Sequence, residues 1–229
     1  MGTSSARVIV RLYYNAGPTS DETVRHVPKQ VDHEARRRQI IEALWRITTR
    51  GGLDRASFRE VAAEAGVSVN LIQYYFGTKD DLLVASLEHL AQRTVARIQA
   101  RSTRLGDDPT ERARLAAIFD EFFPDDEVSR TTMLLFIVFE AAALSHSGLA
   151  RAEARQMTAS LFGNVARLLR LAQERGRAPA SIDPGHEAIV LVATLTSVSQ
   201  AVLGGHLSAA DGRAAITYAL DRALPDMAP

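Results

Sequence analysis

The 229-residue chain contains no cysteine. That excludes a disulfide framework, a thiolate metal site and a cysteine nucleophile. Lysine is nearly absent too: of the 27 basic residues only Lys29 and Lys79 are not arginine. With the abundance of alanine, this composition points to a GC-rich genome. Formal net charge is zero, so the molecule is no polycation that coats nucleic acid indiscriminately, and any DNA affinity must come from a local patch. The longest apolar stretches, Thr132–Leu144 and Ala188–Leu195, fall short of the ~20 residues that span a bilayer. Around Arg7 and Arg11 only Val8 to Val10 are consecutive aliphatics, too few for a secretory signal. A cytoplasmic protein without a membrane partner is expected.

Catalytic signatures are missing as well. The six histidines, at 26, 33, 89, 146, 186 and 206, are scattered, and no pair has the spacing of H-E-x-x-H. There is no G-x-S-x-G, P-loop or dinucleotide glycine pattern. No enzyme activity, cofactor, catalytic residue or metal site is expected.

What is present is helical periodicity. Apolar residues recur at spacings of three and four through nearly every segment after residue 32, while prolines and glycines stand between segments. Ser57-Phe-Arg-Glu60 is a capping box, and Thr78-Lys-Asp-Asp81 and Ser208-Ala-Ala-Asp211 are looser versions. Asp108-Pro109 and Asp183-Pro184 each set an aspartate N-cap before a proline at the first helical position. These signals predict an all-α fold of about nine helices, over 33–50, 57–65, 68–76, 78–103, 108–122, 126–146, 149–176, 184–205 and 208–223. Residues 1–32 show no period and read as an N-terminal arm. Either it is an extension without function, or Arg7, Arg11 and Arg25 reach DNA phosphates.

The densest signal lies between Phe58 and Phe76. Phe58, Val61, Ala62 and Ala65 follow i, i+3, i+4, i+7, and Gly66 supplies the left-handed residue that ends a short helix. Val67 plugs the corner, Ser68 caps the next helix, and Leu71, Ile72 and Phe76 face inward. This is the helix-turn-helix pattern, although a helical hairpin inside an α-bundle fits the same spacing. The outward face of the second helix carries Val69, Asn70, Gln73 and Tyr74. Asn and Gln pair with adenine edges, Val touches a thymine methyl and a tyrosine hydroxyl holds a phosphate. Ser57 at its helix N-terminus suits a phosphate, and Lys79 supplies a point charge. From His33 to Lys79 there are eight basic residues against five acidic ones, an excess of three on a chain that sums to zero.

The run from His33 to Leu83 resembles the N-terminal domain of the TetR family of bacterial transcriptional regulators. The shared features are an amphipathic helix ending in Gly51-Gly52, Ser-Phe-Arg-Glu-Val-Ala from Ser57, Ala-Gly-Val-Ser from Ala65, Tyr74-Tyr75-Phe76, and Lys79 in Thr-Lys-Asp-Asp-Leu. The resemblance implies a homodimer that binds a pseudo-palindromic DNA operator, usually as a repressor released by a small-molecule effector. By similarity, Ser57, Arg59, Tyr74, Tyr75 and Lys79 stand where members hold phosphates. Ser68, Val69, Asn70 and Gln73 stand where they read bases. Many members have tyrosine at the position of Gln73 and histidine at that of Tyr75, so the operator sequence is not implied. The segment from Val27 to Glu34 also resembles how some members begin, which makes Val27 a candidate initiator. A nucleoid or cell-division factor of the same fold is the alternative function.

The implied layout is a helix-turn-helix domain over 33–82 and a ligand-sensing and dimerisation domain over 83–229. The stretch Thr194–Leu224 looks most like regulators related to the choline–betaine regulator. In the family two long helices, here 149–176 and 184–205, build the dimer interface. The second is apolar nearly all round, as a helix buried on more than one side must be. Phe119, Phe122, Phe136, Phe139 and Phe162 are candidates to line an effector cavity, with plain core packing as the alternative for each. Glu140 sits in an apolar run where an unpartnered carboxylate is costly. It faces solvent, pairs with Arg167 or Arg170, or meets a cationic ligand. His146 and Gln200 are further polar candidates. Effector binding is expected to favour a conformation in which helix 78–103 is pivoted.

Overall fold

The computed structural model describes residues 28–145 and 149–225. Among these the chain is all-helical: α1 (Pro28–Gly51), a 3-10 turn (Leu53–Arg55), α2 (Phe58–Ala65), α3 (Val69–Phe76), α4 (Lys79–Thr103), α5 (Glu111–Phe122), α6 (Glu127–Ser145), α7 (Leu149–Glu174), α8 (Pro184–Leu203) and α9 (Ala209–Ala223). Helix α1 begins five residues earlier than its periodicity predicts. Arg7, Arg11, Arg25, Val27 and His146 lie outside the described residues.

The caps explain most helix starts. Ser57 and Glu60 form the reciprocal box, Ser57 Oγ accepting from Glu60 N–H and Glu60 Oε2 from Ser57 N–H, both at 3.2 Å. Thr78 and Asp81 repeat it at the head of α4. Ser68, Asp183 and Ser208 each cap as expected. One expectation fails. Helix α5 is capped by Thr110, whose hydroxyl accepts from Ala113 N–H, so Asp108-Pro109 lies one step upstream of it. A threonine hydroxyl three residues before a free N–H competes directly with an aspartate for this role.

The chain divides into two compact units, Met1–Gln92 with Leu135–Gln156, and Arg93–Leu134 with Met157–Pro229. In the first unit, Ile40, Ile41, Leu44 and Trp45 of α1 are buried with Val61, Ala62 and Ala65 of α2 and Ile72 and Phe76 of α3. Each of the larger side chains contributes about 1.5–3 kcal/mol of burial. Trp45 Nε1 donates to Ser86 Oγ at 2.7 Å, and its ring stacks on His89 with centroids 5.2 Å apart. These two contacts tie the first half of α4 to α1.

The second unit is built on Leu115, Ile118, Phe119, Phe122 and Phe123 around α5, with Leu161, Val165, Leu168 and Leu169 of α7 and Leu191, Val192 and Leu195 of α8, all buried. Gly212 lets α9 approach α8 closely. A Cβ there would lie 2.7 Å from Val202 Cγ2 and 3.2 Å from both Phe123 and Val198. Two buried carboxylates are paired, as burial demands. Glu111 receives Arg175 at 2.8 Å and Arg177 at 3.3 Å. Glu121 receives Arg97 at 2.7 Å and Arg101 at 3.5 Å, and burial nevertheless pushes its carboxyl up from the usual range, the arginines pulling the other way.

Helix α8 departs from the expectation that no segment is long enough to cross a bilayer. It has 20 residues, and its most apolar 18 have a mean hydropathy of 1.4, enough by length and composition alone, with 28% of them buried within the chain. Ile189 and Val190 are 54% and 51% exposed. No unbroken apolar run in α8 is long enough to cross a bilayer, because serines and threonines of modest polarity interrupt it. Thr194 and Thr196 return their hydroxyls to Val190 and Val192 carbonyls one turn back, so they do not oppose an apolar setting.

Candidate nucleic-acid interface

Helices α2 and α3 are joined by three residues, and each part of that turn has a local cause. Gly66 sits at φ 66°, ψ 35°, the left-handed region open to glycine without cost. Val67 N–H then reaches back to Ala62 O at 3.0 Å, closing a Schellman turn. Ser68 Oγ accepts from Leu71 N–H at 3.2 Å and starts α3. With Ile72 and Phe76 buried, the opposite side of α3 is fixed in register. Asn70, Gln73 and Tyr74 are exposed at i, i+3, i+4 and so form one row. Tyr74 is 74% exposed, a large aromatic held largely in solvent with only the edge of Tyr75 against it.

The remaining expected contact residues fall as follows. Ser57 and Arg59 are exposed at the start of α2, Ser68 is exposed at the N-cap of α3, and Val69 behind it is half-buried. Lys79 is exposed as the first residue of α4, three residues past the end of α3. All nine lie in the first compact unit. Tyr75 differs from its neighbour: it is half-buried, and its hydroxyl lies 3.0 Å from His33 Nδ1.

A supporting row on α1 was not singled out by sequence. Arg37 donates to the Tyr75 carbonyl at 2.7 Å and lies 4.5 Å over the Phe76 ring. It satisfies one of the orphan carbonyls at the end of α3. Gln39 donates to the Ala65 carbonyl at 2.7 Å, doing the same for α2. Arg46 and Arg50 both pair with Glu64 and hold its carboxyl below the usual carboxylate range. Three of the arginines counted toward the basic patch therefore brace the helices internally. The spacing Arg37…Gln39 carries no motif, because each side chain reaches a carbonyl on a helix distant in the chain.

The expected effector residues are divided between the units. Phe119 and Phe122 are buried on α5 and Phe162 is half-buried on α7, in the second unit. Phe136 and Phe139 are buried and Glu140 half-buried on α6, in the first unit. Gln200 is exposed on α8. Among the described residues no cluster of His, Asp or Glu is arranged to hold a metal ion.

A short pair of capped helices, glycine-hinged, presents Asn70, Gln73 and Tyr74 in one exposed row, side-chain types suited to hydrogen-bonding base edges and phosphates. The chain also matches two family profiles. Residues 40–86 match bacterial regulatory proteins of the tetR family, and residues 111–225 match the C-terminal domain of BetI-type transcriptional repressors. The chain belongs to the TetR family. Within it, this regulator is 32% identical over 139 residues to the HTH-type transcriptional regulator BetI of Stenotrophomonas maltophilia, covering 61% of this chain and 69% of that one. It is 35% identical over 117 residues to the HTH-type transcriptional regulator PksA of Bacillus subtilis, covering 51% of this chain and 56% of PksA. The match thus spans little more than half of PksA's length. A TetR-family regulator from Rhodococcus superposes with a TM-score of 0.72 at 25% identity, over 83% of this chain and 99% of that one. The TetR-type fold and its helix-turn-helix make this chain a DNA-binding transcriptional regulator of the BetI-like group.

Proposed function

We propose that this regulator is a cytoplasmic homodimeric repressor that leaves its operator when a small molecule binds its C-terminal domain. The exposed row Asn70, Gln73 and Tyr74, on a helix locked by Ser68, Gly66 and Arg37, carries the reading. In it, Ser68, Val69, Asn70 and Gln73 contact base edges, and Ser57, Arg59, Tyr74, Tyr75 and Lys79 hold the phosphates. Residues 33–82 dock on DNA, and residues 83–229 sense the effector and dimerise.

The half-exposed α8 supports the dimer. A 20-residue apolar helix with Ile189 and Val190 in solvent is covered most economically by its own symmetry mate, since an isologous contact needs only one self-complementary patch. Two-fold symmetry then sets two reading helices one helical turn of DNA apart, or a multiple of it. Phe119, Phe122 and Phe162 in the second unit and, taken separately, Phe136, Phe139 and Glu140 in the first are the candidates for contact with the effector.

Selection from a random duplex library by the purified protein tests this reading. The enriched sequences should be pseudo-palindromic, with half-site centres about 10 base pairs or a multiple of that apart. No enrichment over the starting pool would contradict it. A small-molecule panel screened for release of the enriched duplex then tests effector control, and no releasing compound in any chemical class would speak for a ligand-independent regulator.

A further inference from the structure

Tyr75 is held at both ends by α1, and the two holds differ in kind. Its carbonyl accepts from Arg37, a donor that is always charged. Its hydroxyl meets His33 Nδ1 at 3.0 Å, with the two rings edge to face at 5.7 Å. A histidine nitrogen is an acceptor or a donor according to its proton. The polarity of this hydrogen bond is therefore set by the protonation of an exposed side chain. Tyr75 also packs edge-on against Tyr74, centroids 5.3 Å apart, so whatever the Tyr75 hydroxyl does happens beside the reading row.

We propose that His33 is a DNA-interface residue that acts through Tyr75, switching that hydroxyl between an internal donor and a phosphate donor. The inference rests on the DNA-binding role assigned to this face. With the ring proton on Nε2, neutral His33 offers the Nδ1 lone pair, and the Tyr75 O–H is used up in donating to it. When His33 takes a proton at Nδ1, that N–H donates to the Tyr75 oxygen. The hydroxyl hydrogen is released to rotate toward an acceptor outside, and a positive charge appears next to it. A phosphate oxygen is the acceptor that both changes favour, because a charge-assisted arrangement is stronger than a neutral one.

Histidine is the side chain that makes this change between pH 5 and 8. Among the described residues, the charged and titratable groups within the turn of α1 that follows it are Glu34, Arg36 and Arg37, and Tyr75 meets it from α3 with Tyr74 beside that ring. Neither arginine titrates in that range, and a tyrosine hydroxyl ordinarily keeps its proton there. DNA affinity is therefore expected to be higher at pH 6 than at pH 8.

The test is fluorescence anisotropy with the enriched duplex at fixed ionic strength from pH 8 to pH 6, for the full chain, His33→Gln, Tyr75→Phe and Tyr74→Ala. Circular dichroism at each pH verifies folding. Wild type should bind more tightly at pH 6 by about tenfold per protomer, the size of one charge-assisted contact, or up to about a hundredfold for a dimer on one duplex. His33→Gln and Tyr75→Phe should each lose most of that gain. A full gain in Tyr75→Phe would mean charge alone acts, and a full gain in His33→Gln would place the effect elsewhere; either overturns the switch while Tyr74→Ala still weakens binding and the interface stands. If Tyr74→Ala also binds like wild type, the interface assignment fails together with the inference.

Discussion

At the scale of single residues, this protein uses arginine where a sequence reader expects it to face DNA. Arg37 closes the end of the reading helix, and Arg46 and Arg50 converge on Glu64. The same economy appears at Glu121, a fully buried carboxylate with two arginines. Burial raises its carboxyl above the ordinary glutamate value. Between the ordinary and the raised value the folded chain keeps a proton that the unfolded chain has released, so stability from this group is lost as pH rises through that window. Glu121→Gln has no such proton to lose. Its melting temperature relative to wild type should therefore be lowest at the acid end and improve toward neutrality, as read by calorimetry across that range. A deficit that grows toward neutrality would mean the pair with Arg97 and Arg101 outweighs the desolvation of the carboxylate.

Among the helices, two contacts decide most. Gly212 is a contact-distance glycine: adding a methyl there gains about 1 kcal/mol of helix propensity but overpacks Val202, Phe123 and Val198, at a cost of about 1–3 kcal/mol. A net loss of about 1 kcal/mol is expected for Gly212→Ala in urea melts, and a stabilised variant would show that α9 can retreat. On α8, Ile189→Glu places two carboxylates near the proposed two-fold axis. Sedimentation velocity should then report monomer where wild type is dimer; an undisturbed dimer would put the interface on another helix.

The capped starts of α2, α3, α8 and α9, the turn at Gly66 and the outward row of α3 were legible in the sequence, because each depends on residues within five positions of one another. Ser57 with Glu60 and Ser68 with Leu71 are examples. What was not legible depends on pairs far apart in the chain: Arg37 with Tyr75, Gln39 with Ala65, Trp45 with Ser86, Arg175 with Glu111. Periodicity states which face of a helix is apolar and nothing about which distant carbonyl a side chain will reach. The Thr110 cap was missed for a smaller reason, two capping residues standing two positions apart.

Over the whole molecule, zero net charge makes the case for specificity. Non-specific affinity for DNA comes from phosphate contacts and their released counterions, and a neutral chain has little of it beyond its N-terminal face. Binding should therefore rest on a few positioned groups, Tyr74 foremost. The most direct test is anisotropy of the full-length protein on a selected duplex and on a scrambled one, across a salt series, with Tyr74→Ala alongside. Selective binding that weakens linearly with log salt, and that Tyr74→Ala reduces about tenfold or more, is the expected result. Equal affinity for both duplexes, with Tyr74→Ala indistinguishable from wild type, would contradict the assignment of α3 as the reading helix.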